Sequence, residues 1–175
     1  MKPAIKYALA FAAAVGAGHL GAIVAAPRVI MQVALTKMSQ DGKLVNAFQF
    51  GPRTTEKSRG VVRPSPDLAY ASCVYDLSQG PVLVSAAPSP GQGYVSLSVF
   101  DARTDNIAVF DTAQYPGGIR FILAMDGQPV PQGEQVVRAK FAKGVILDRR
   151  LAPTAELFAE VDQARRSNIC APVKN

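Results

Sequence analysis

The sequence predicts a mostly-β protein: an antiparallel β-sandwich or jelly-roll-like domain, with an N-terminal transmembrane helix and a C-terminal packing helix. Three observations support this prediction. Short segments of alternating apolar and polar residues recur about every ten residues through the middle of the chain. An uncharged run of 20 residues lies near the N-terminus. A pattern with helical spacing follows the last predicted strand. With 175 residues, 49% of them apolar, the chain can build a core.

The uncharged run, Tyr7 to Ala26, has the length of a membrane span. A helix of these 20 residues reaches about 30 Å, the thickness of the hydrocarbon core. Lys2 and Lys6 precede it, and basic residues at such an end stay on the cytoplasmic side. We therefore expect a single-pass protein of the bacterial inner membrane with its domain in the periplasm. A small-residue triplet before Pro27 is similar to a cleavage site, so export with removal of the segment is the alternative.

The span is rich in small residues. Ala14, Gly18 and Ala22 recur every four residues, which lets a second membrane helix approach closely. The alternative is that alanine and glycine are simply common in such anchors. His19, the one histidine of the chain, has no charged residue near it in the span, which favours a tolerated neutral side chain over a functional one.

After the span, the sequence predicts a second, short amphipathic helix. Pro27 suits the first turn of a helix. Apolar residues then follow with helical spacing until Asp41-Gly42 ends the pattern. The predicted organisation is an anchor with an amphipathic helix over residues 1–40, and a β-sandwich domain over residues 41–175.

Seven strands and one helix are predicted in that domain. The strand segments are 69–77, 81–86, 94–100, 107–110, 119–125, 136–141 and 145–147. The helix has Leu157, Phe158 and Val161 on its apolar face. Arg165 lies near its C-terminal end, where positive charge suits the helix dipole. The tail from Ser167 has no periodicity and predicts no element.

Composition excludes several function classes. The formal charge is +6, but four basic residues and no acidic residue precede Asp41, so the remainder carries 15 basic and 13 acidic residues. This balance predicts no nucleic-acid surface. Because the lone histidine lies in the anchor, Ser–His–Asp and Cys–His catalysis are excluded. Asp101, Asp105 and Asp111 lack the spacing of a calcium loop, so we expect turn residues, with no metal and no cofactor.

The two cysteines leave two alternatives. Cys73 lies on the apolar face of a predicted strand, and Cys170 lies in the tail. In an oxidising periplasm they could form a disulfide that pins the tail. The alternative is one buried and one exposed thiol, because spacing alone does not fix the geometry.

The segment from Arg63 to Tyr70 is the densest unusual stretch. Its two prolines force an extended approach to the next strand. Arg63, Asp67 and Tyr70 would either line a pocket or form a hydrogen-bonded network that fixes the start of that strand.

Two stretches resemble a bacterial family. Residues 63–88, RPSPDLAYASCVYDLSQGPVLVSAAP, and residues 93–110, GYVSLSVFDARTDNIAVF, are similar to the domain-of-unknown-function family numbered 1254. The matching positions are Arg63, Pro64, Asp67, Tyr70, Asp76, Leu77, Ser78, Gly80, Pro81, Tyr94, Asp101, Thr104 and Asn106. The resemblance covers residues 44–166. Ser65 stands where the family has Asn, and Gln49-Phe50 stands where many members carry a histidine, so this chain lacks part of any site that those residues form.

The resemblance implies a β-sandwich in the cell envelope and brings no established reaction. With Arg149, which also fits the family, the candidate pocket comprises Arg63, Asp67, Tyr70, Asp76, Tyr94, Asp101 and Arg149. Larger members carry a second, jelly-roll domain of the family numbered 1214, and this chain stops before such a domain. We therefore expect a separately encoded, membrane-anchored jelly-roll partner, which would also give the small-residue face of the anchor a helix to pack against.

Two functions follow as hypotheses. The first is a non-catalytic, membrane-tethered binding or assembly subunit that acts beside this partner. The alternative is an envelope hydrolase acting on a carbohydrate-like substrate, in which two of Asp67, Asp76 and Asp101 supply the acid and the base. The distance between Asp67 and Asp101 discriminates between them, because paired carboxylates work within about 10 Å of each other.

Overall fold

Two β-sheets pack face to face in the computed structural model, which describes residues 3–58 and 64–173. Sheet A has the strand order β1-β2-β8-β4-β5, and sheet B has the order β7-β6-β3-β9. The strands are β1 (Phe48–Phe50), β2 (Leu68–Asp76), β3 (Val82–Ala86), β4 (Val95–Asp101), β5 (Asn106–Asp111), β6 (Ile119–Met125), β7 (Val136–Ala139), β8 (Lys143–Leu151) and β9 (Ile169–Pro172). The helices are α1 (Pro3–Met38) and α2 (Ala155–Arg165). The predicted fold class is confirmed, and the sheets do not close into a barrel.

The core lies between the two sheets, as the alternating pattern predicts. Successive side chains of a strand point to opposite faces, so Val95, Leu97 and Val99 of β4 all point inward and are buried. Phe110 of β5 stacks on Phe121 of β6, with 4.7 Å between the ring centroids. The inward-facing apolar residues of both sheets thus hold the sandwich together.

One pairing differs from the antiparallel prediction. Strands β6 and β7 are parallel, and Ile122 is opposite Val136. A parallel pair needs a crossover connection, and residues 126–135 supply it. The other pairings in both sheets are antiparallel.

The N-terminal segment is one helix where the sequence predicts two. Helix α1 has 36 residues and continues through Pro27, so it is about 54 Å long at 1.5 Å per residue. Proline lacks the N–H that bonds four residues back, and the guanidinium of Arg28 donates to the neighbouring carbonyl of Val24. Among residues 3–58 and 64–173, α1 is the one helix that is long and apolar enough to cross a membrane.

The last turns of α1 pack on the outer face of sheet A, which is the face turned away from sheet B. Met31, Ala34 and Leu35 are buried there against Val74 of β2 and Val145 of β8. From residue 3 to residue 26 the helix is exposed along its whole length.

Strands β1 and β9 lie outside the sequence prediction. Each is short, with three and four residues, so neither contains enough residues for alternation to be recognised. Strand β9 pairs with β3, and a disulfide joins its Cys170 to Cys73 of β2. Of the two alternatives for the cysteines, the structure therefore has the disulfide, which links sheet B to sheet A.

Candidate functional site

The structure distributes the residues of the candidate pocket over both ends of sheet A. Arg63 lies outside the described residues. Tyr70 and Arg149 are direct cross-strand neighbours on the outer face, and Tyr94 lies beside them at the start of β4. Asp67 precedes β2 at the same end. These residues belong to one region of the surface.

Asp76 and Asp101 lie at the opposite end. Asp76 is paired with Lys143, and Asp101 is opposite Gly144, the next residue of β8. Their side chains point to opposite faces of the sheet, because Asp76 shares the outer face with Val74 and Asp101 shares the inner face with Val99. The sequence-predicted pocket is therefore two separate groups of residues.

The two carboxylates that the hydrolase hypothesis pairs are far apart. Asp101 and Tyr75 both align with Gly144, and Asp67 precedes Tyr75 by eight positions on the chain. At about 3.3 Å per residue, their backbones are roughly 26 Å apart. Paired carboxylates of glycosidases lie within about 10 Å of each other, so Asp67 and Asp101 form no such pair.

Asp101 has a structural role at its end of the sheet. It is buried, and its Oδ1 accepts hydrogen bonds from the backbone N–H groups of Arg103 (2.7 Å) and Asp105 (3.1 Å). These bonds fix the turn between β4 and β5, which is the usual use of an aspartate in such a turn. Tyr75 of β2 and Asp101 both align with Gly144 of β8. Burial and the negative charge of Asp101 raise the pKa of the Tyr75 hydroxyl.

Asp76 is held in its charged form by its surroundings. Burial alone would raise its pKa, but the hydrogen bond from the Ser78 backbone N–H (2.9 Å) and the ammonium of Lys143 (3.2 Å) outweigh that effect. The pKa of Asp76 is therefore below its ordinary value. It lines an open cleft of about 370 Å³ between the end of α1 and the sheet, together with Thr36, Ser39 and Lys143.

The group at the other end is a mixed polar and apolar surface, which we name the Tyr70–Arg149 patch. It comprises Tyr70, Tyr94, Ser98, Arg149 and Leu151. Arg149 donates from Nη2 to the hydroxyl of Ser98 at 2.8 Å, and its Nε is buried and has no partner among the described residues. Tyr94 is 47% exposed and Leu151 is 44% exposed.

Tyr70 is fixed within this patch by its hydroxyl group. The hydroxyl accepts a hydrogen bond from the backbone N–H of Ser65 at 2.9 Å. Asp67 contributes its backbone carbonyl, which accepts from the N–H of Ala152 at 2.8 Å. Both residues therefore take part in a network that holds the start of β2. Because Arg63 lies outside the described residues, the choice between a pocket and a network of Arg63, Asp67 and Tyr70 stays a prediction.

Sequence reasoning missed a buried ionic cluster. Asp148 and Arg150 of β8 point into the core and are fully buried, with Arg150 Nε 2.9 Å from Asp148 Oδ2. Asn168 bridges them: it accepts from Arg150 Nη2 at 2.9 Å and donates to Asp148 at 2.7 Å. Burial raises the pKa of Asp148, against the charge of Arg150. Alternating charges among the apolar residues of β8 were the available signal, but they suggest solvent exposure.

Arg165, which the sequence places at the C-terminal end of α2, is also buried. Its guanidinium donates to the backbone carbonyls of Tyr70 and Gly51 and to the carboxylate of Asp162. It thereby ties α2 to both β2 and the end of β1. It also lies over the ring of Phe158, 5.3 Å from the centroid. This arginine is a structural clamp.

The fold and its surfaces define a class: a small two-sheet β-sandwich that carries a long, exposed apolar N-terminal helix. In the part of the chain that the structure describes, no group of three or more His, Cys, Asp or Glu residues could hold a metal ion. The sequence profile of DUF1254, a family of unknown function, matches residues 45–172, and the chain belongs to that family. The resemblance seen in the sequence is thereby confirmed. No curated protein matches the chain.

One solved structure shares the fold, and a second shows a weaker likeness. A crystal structure of a Vibrio parahaemolyticus protein is similar with a TM-score of 0.67 and 17% identity, over 89% of this chain and 40% of that chain. That of an uncharacterised Burkholderia cenocepacia protein has a TM-score of 0.44 and 18% identity, over 83% of this chain and 38% of that chain. The chain spans about two fifths of the length of these proteins. At such identities the likeness shows the fold alone.

Proposed function

We propose that this protein is a non-catalytic binding or assembly subunit of the bacterial cell envelope. In this proposal α1 tethers it to the inner membrane, and the sandwich lies on the periplasmic side beside a separately encoded, membrane-anchored jelly-roll partner of the family numbered 1214. The observation that carries the proposal is the Tyr70–Arg149 patch, whose Tyr94 and Leu151 are exposed on the same sheet face that receives the end of α1.

The tether is supported by exposure. An apolar helix that serves as the core of a soluble protein is covered by other elements, whereas residues 3–26 of α1 are exposed. Exposed apolar surface of this extent marks a membrane or protein contact. The disulfide between Cys73 and Cys170 supports the compartment, because disulfides persist in the periplasm and are rare in the cytosol.

The partner surface is supported by the composition of the patch. Tyrosine and arginine are enriched at the energetic centres of protein interfaces, and here Tyr70, Tyr94 and Arg149 occur together. Leu151 adds apolar surface directly beside Tyr94, since its backbone N–H donates to the Tyr94 carbonyl at 3.1 Å. Tyr94 and Leu151 are each about half exposed, and a partner that docks on this patch would bury the exposed parts of both side chains.

The length of the Vibrio protein favours a separate partner for this chain. In the Vibrio protein the shared fold makes up 40% of the chain, so there it is accompanied by further polypeptide. The proposed partner would take the position of such an accompanying domain. Catalysis is not part of the proposal, because Asp67 lies at the opposite end of the sheet from Asp76 and Asp101, and the side chains of those two point to opposite faces.

The proposal is tested by determining which proteins the detergent-extracted complex contains. The full-length protein is extracted from its native membranes in mild detergent and purified, and its mass is measured by light scattering with the detergent subtracted. We expect a complex that contains a protein of the family numbered 1214, identified by mass spectrometry. A strictly monomeric particle that carries no other protein contradicts the proposal.

A matched pair of variants locates the interface. Leu151→Asp places a charge in the Tyr70–Arg149 patch, and Ile169→Asp places one at a comparably exposed position, 40% against 44%, on strand β9 of the other sheet. We expect Leu151→Asp to lose the partner and Ile169→Asp to keep it. Equal retention by both variants would exclude this patch as the interface.

A further inference from the structure

The contacts of α1 define how it crosses sheet A. It packs against Val74 of β2 and Val145 of β8, and Phe100 of β4 extends the same apolar cluster. These three residues are cross-strand neighbours, because Val74 is opposite Val145 and Val145 is opposite Phe100. The apolar cluster under the helix thus follows one row of side chains across adjacent strands, which indicates that the helix runs across the strands and not along them.

The direction of that crossing follows from one hydrogen bond. The side-chain amide of Gln49, in β1, donates to the backbone carbonyl of Met38. The C-terminal end of α1 therefore lies over the β1 edge of sheet A. Since the strand order is β1-β2-β8-β4-β5, the N-terminal direction of the helix points across the sheet towards β5.

Simple geometry places the point where the helix leaves the sheet. From Met38 back to Pro27, eleven residues at 1.5 Å each cover about 16 Å. From β1 to β5, four strand spacings of about 4.8 Å cover roughly 19 Å. Pro27 is half-buried, and the described residues before it are exposed. Residues 28–30 are exposed again, and Met31 is the first buried residue of α1. By these lengths, the C-terminal end of the apolar run at Ala26 lies at about the level of strand β5.

We propose that sheet A stands edge-on to the bilayer, with its edge strand β5 in the headgroup layer of the membrane that α1 crosses. This inference rests on the proposed tether. The headgroup layer is about 5–7 Å thick on each side of the hydrocarbon core, which is enough to hold one strand. Strands β4, β8, β2 and β1 then lie at increasing distance from the lipid.

The side chains at this edge suit a headgroup layer. Val109 of β5 points to the outer face and is 52% exposed. Ile30 and Val33 of α1 are exposed on the helix just beyond the apolar run. Arg28 lies at the boundary itself, where a guanidinium can reach lipid phosphates. Arg103 in the β4–β5 turn is paired with Asp105 at 2.8 Å, so this turn adds no net charge to the contact.

The sequence provides a direct way to measure this arrangement, because the chain contains no tryptophan. A single tryptophan can therefore be placed at one position at a time in the full-length protein, in vesicles of phosphatidylcholine and phosphatidylglycerol that contain brominated lipid. Leu20→Trp reports on the middle of the span. Val109→Trp and Arg103→Trp report on the β5 edge, and Ile169→Trp reports on β9, which the disulfide holds opposite β2.

We expect strong quenching of Leu20→Trp, intermediate quenching of Val109→Trp and Arg103→Trp, and none of Ile169→Trp. If Leu20→Trp is quenched while both β5-edge variants behave like Ile169→Trp, the edge-on arrangement is wrong and the tether stands. If Leu20→Trp itself is unquenched, the tether is wrong as well. Circular dichroism of each variant verifies the fold, and the two β5-edge positions guard against a local disruption at either one.

Discussion

Gly144 lies where the side chain of Tyr75 crosses strand β8. A Cβ atom at this position would come within 2.1 Å of the Phe100 carbonyl oxygen and 2.4 Å of the Tyr75 hydroxyl. That hydroxyl donates to the same carbonyl at 3.1 Å. An added Cβ atom would therefore collide with backbone and with a buried tyrosine ring, neither of which can move aside easily.

Gly144→Ala should consequently destabilise the protein. We expect the free energy of unfolding to fall by about 1–3 kcal/mol, the usual range for overpacking a core. Urea denaturation in detergent measures it. Gly117→Ala is the control, since nothing lies within 4 Å of a Cβ there. Equal stability of the two variants would show that the Tyr75 contact is not tight.

The buried pair of Asp148 and Arg150 predicts an asymmetry between single and double substitutions. Arg150→Met leaves Asp148 buried without its countercharge, and we expect a loss of about 3–5 kcal/mol in unfolding free energy. The double variant Asp148→Leu/Arg150→Met removes both charges of this pair and should recover most of that loss. Denaturant titration of the three proteins tests this. A double variant as unstable as the single one would refute the argument.

Asp162 predicts a pH dependence. Burial alone would raise its pKa, but the hydrogen bonds and charges of Arg165 and Arg166 outweigh it and lower the pKa. The unfolded chain therefore binds this proton more readily than the folded protein. The resulting stabilisation is present above about pH 4 and is lost as the pH falls through the folded pKa.

Asp162→Asn removes that stabilisation. The variant should be less stable than the wild type at pH 7, and the difference should shrink steadily below about pH 4. Thermal unfolding across this pH range measures it, with Glu160→Gln on the exposed side of α2 as control. A difference that stays constant down to pH 3 would mean that the carboxylate charge is not responsible.

Strand β9 is the element whose place depends most on a covalent bond. Cys73 and Cys170 are 97 positions apart in the sequence, so their disulfide closes a long loop in the unfolded chain. Removing a native disulfide typically costs about 2–5 kcal/mol. We expect Cys73→Ala/Cys170→Ala to lower the unfolding free energy by that amount.

The reductant supplies the matching control for that prediction. Dithiothreitol should lower the Tm of the wild type towards that of Cys73→Ala/Cys170→Ala and leave the variant unchanged. If the wild type unfolds at the same temperature with and without reductant, the disulfide does not stabilise the sandwich.

Elements with a clear period could be predicted from the sequence, and those without one could not. Strand β4 alternates between apolar and serine residues from Val95 to Val99, and its predicted limits, Tyr94 to Phe100, agree with the structure to within one residue. Strand β9 is short, and its position depends on pairing with β3 and on Cys170, which no local pattern shows. Helix α1 continues past Pro27 because packing against sheet A offsets a local preference.

The candidate site was predictable only in part. Tyr70 and Arg149 are neighbours because β2 pairs with β8, a contact between residues 79 positions apart in the sequence. The sequence analysis grouped them with Asp76 and Asp101, since all four match the pattern of the family that the sequence resembles. Tyr70 and Arg149 lie at one end of sheet A, and Asp76 and Asp101 lie at the other. This separation follows from the strand register, which the sequence does not show.

The whole molecule combines a long exposed helix with a rigidly attached sandwich. Because the final turns of α1 are packed on sheet A, the orientation of the span determines the orientation of the domain. In the proposed arrangement this keeps the Tyr70–Arg149 patch at a fixed height and direction relative to the lipid. A partner tethered to the same membrane would then reach the patch by diffusion within the plane of the membrane.

The most direct measurement of this account combines membrane extraction with protease accessibility. Bacterial cells that express the full-length protein are converted to spheroplasts, treated with protease, and their membranes are washed with alkaline carbonate. Without protease, we predict that the protein stays in the membrane pellet after the carbonate wash. With protease, we predict that its domain is digested in intact spheroplasts. Recovery of the uncleaved protein in the soluble cytosolic fraction would contradict the account.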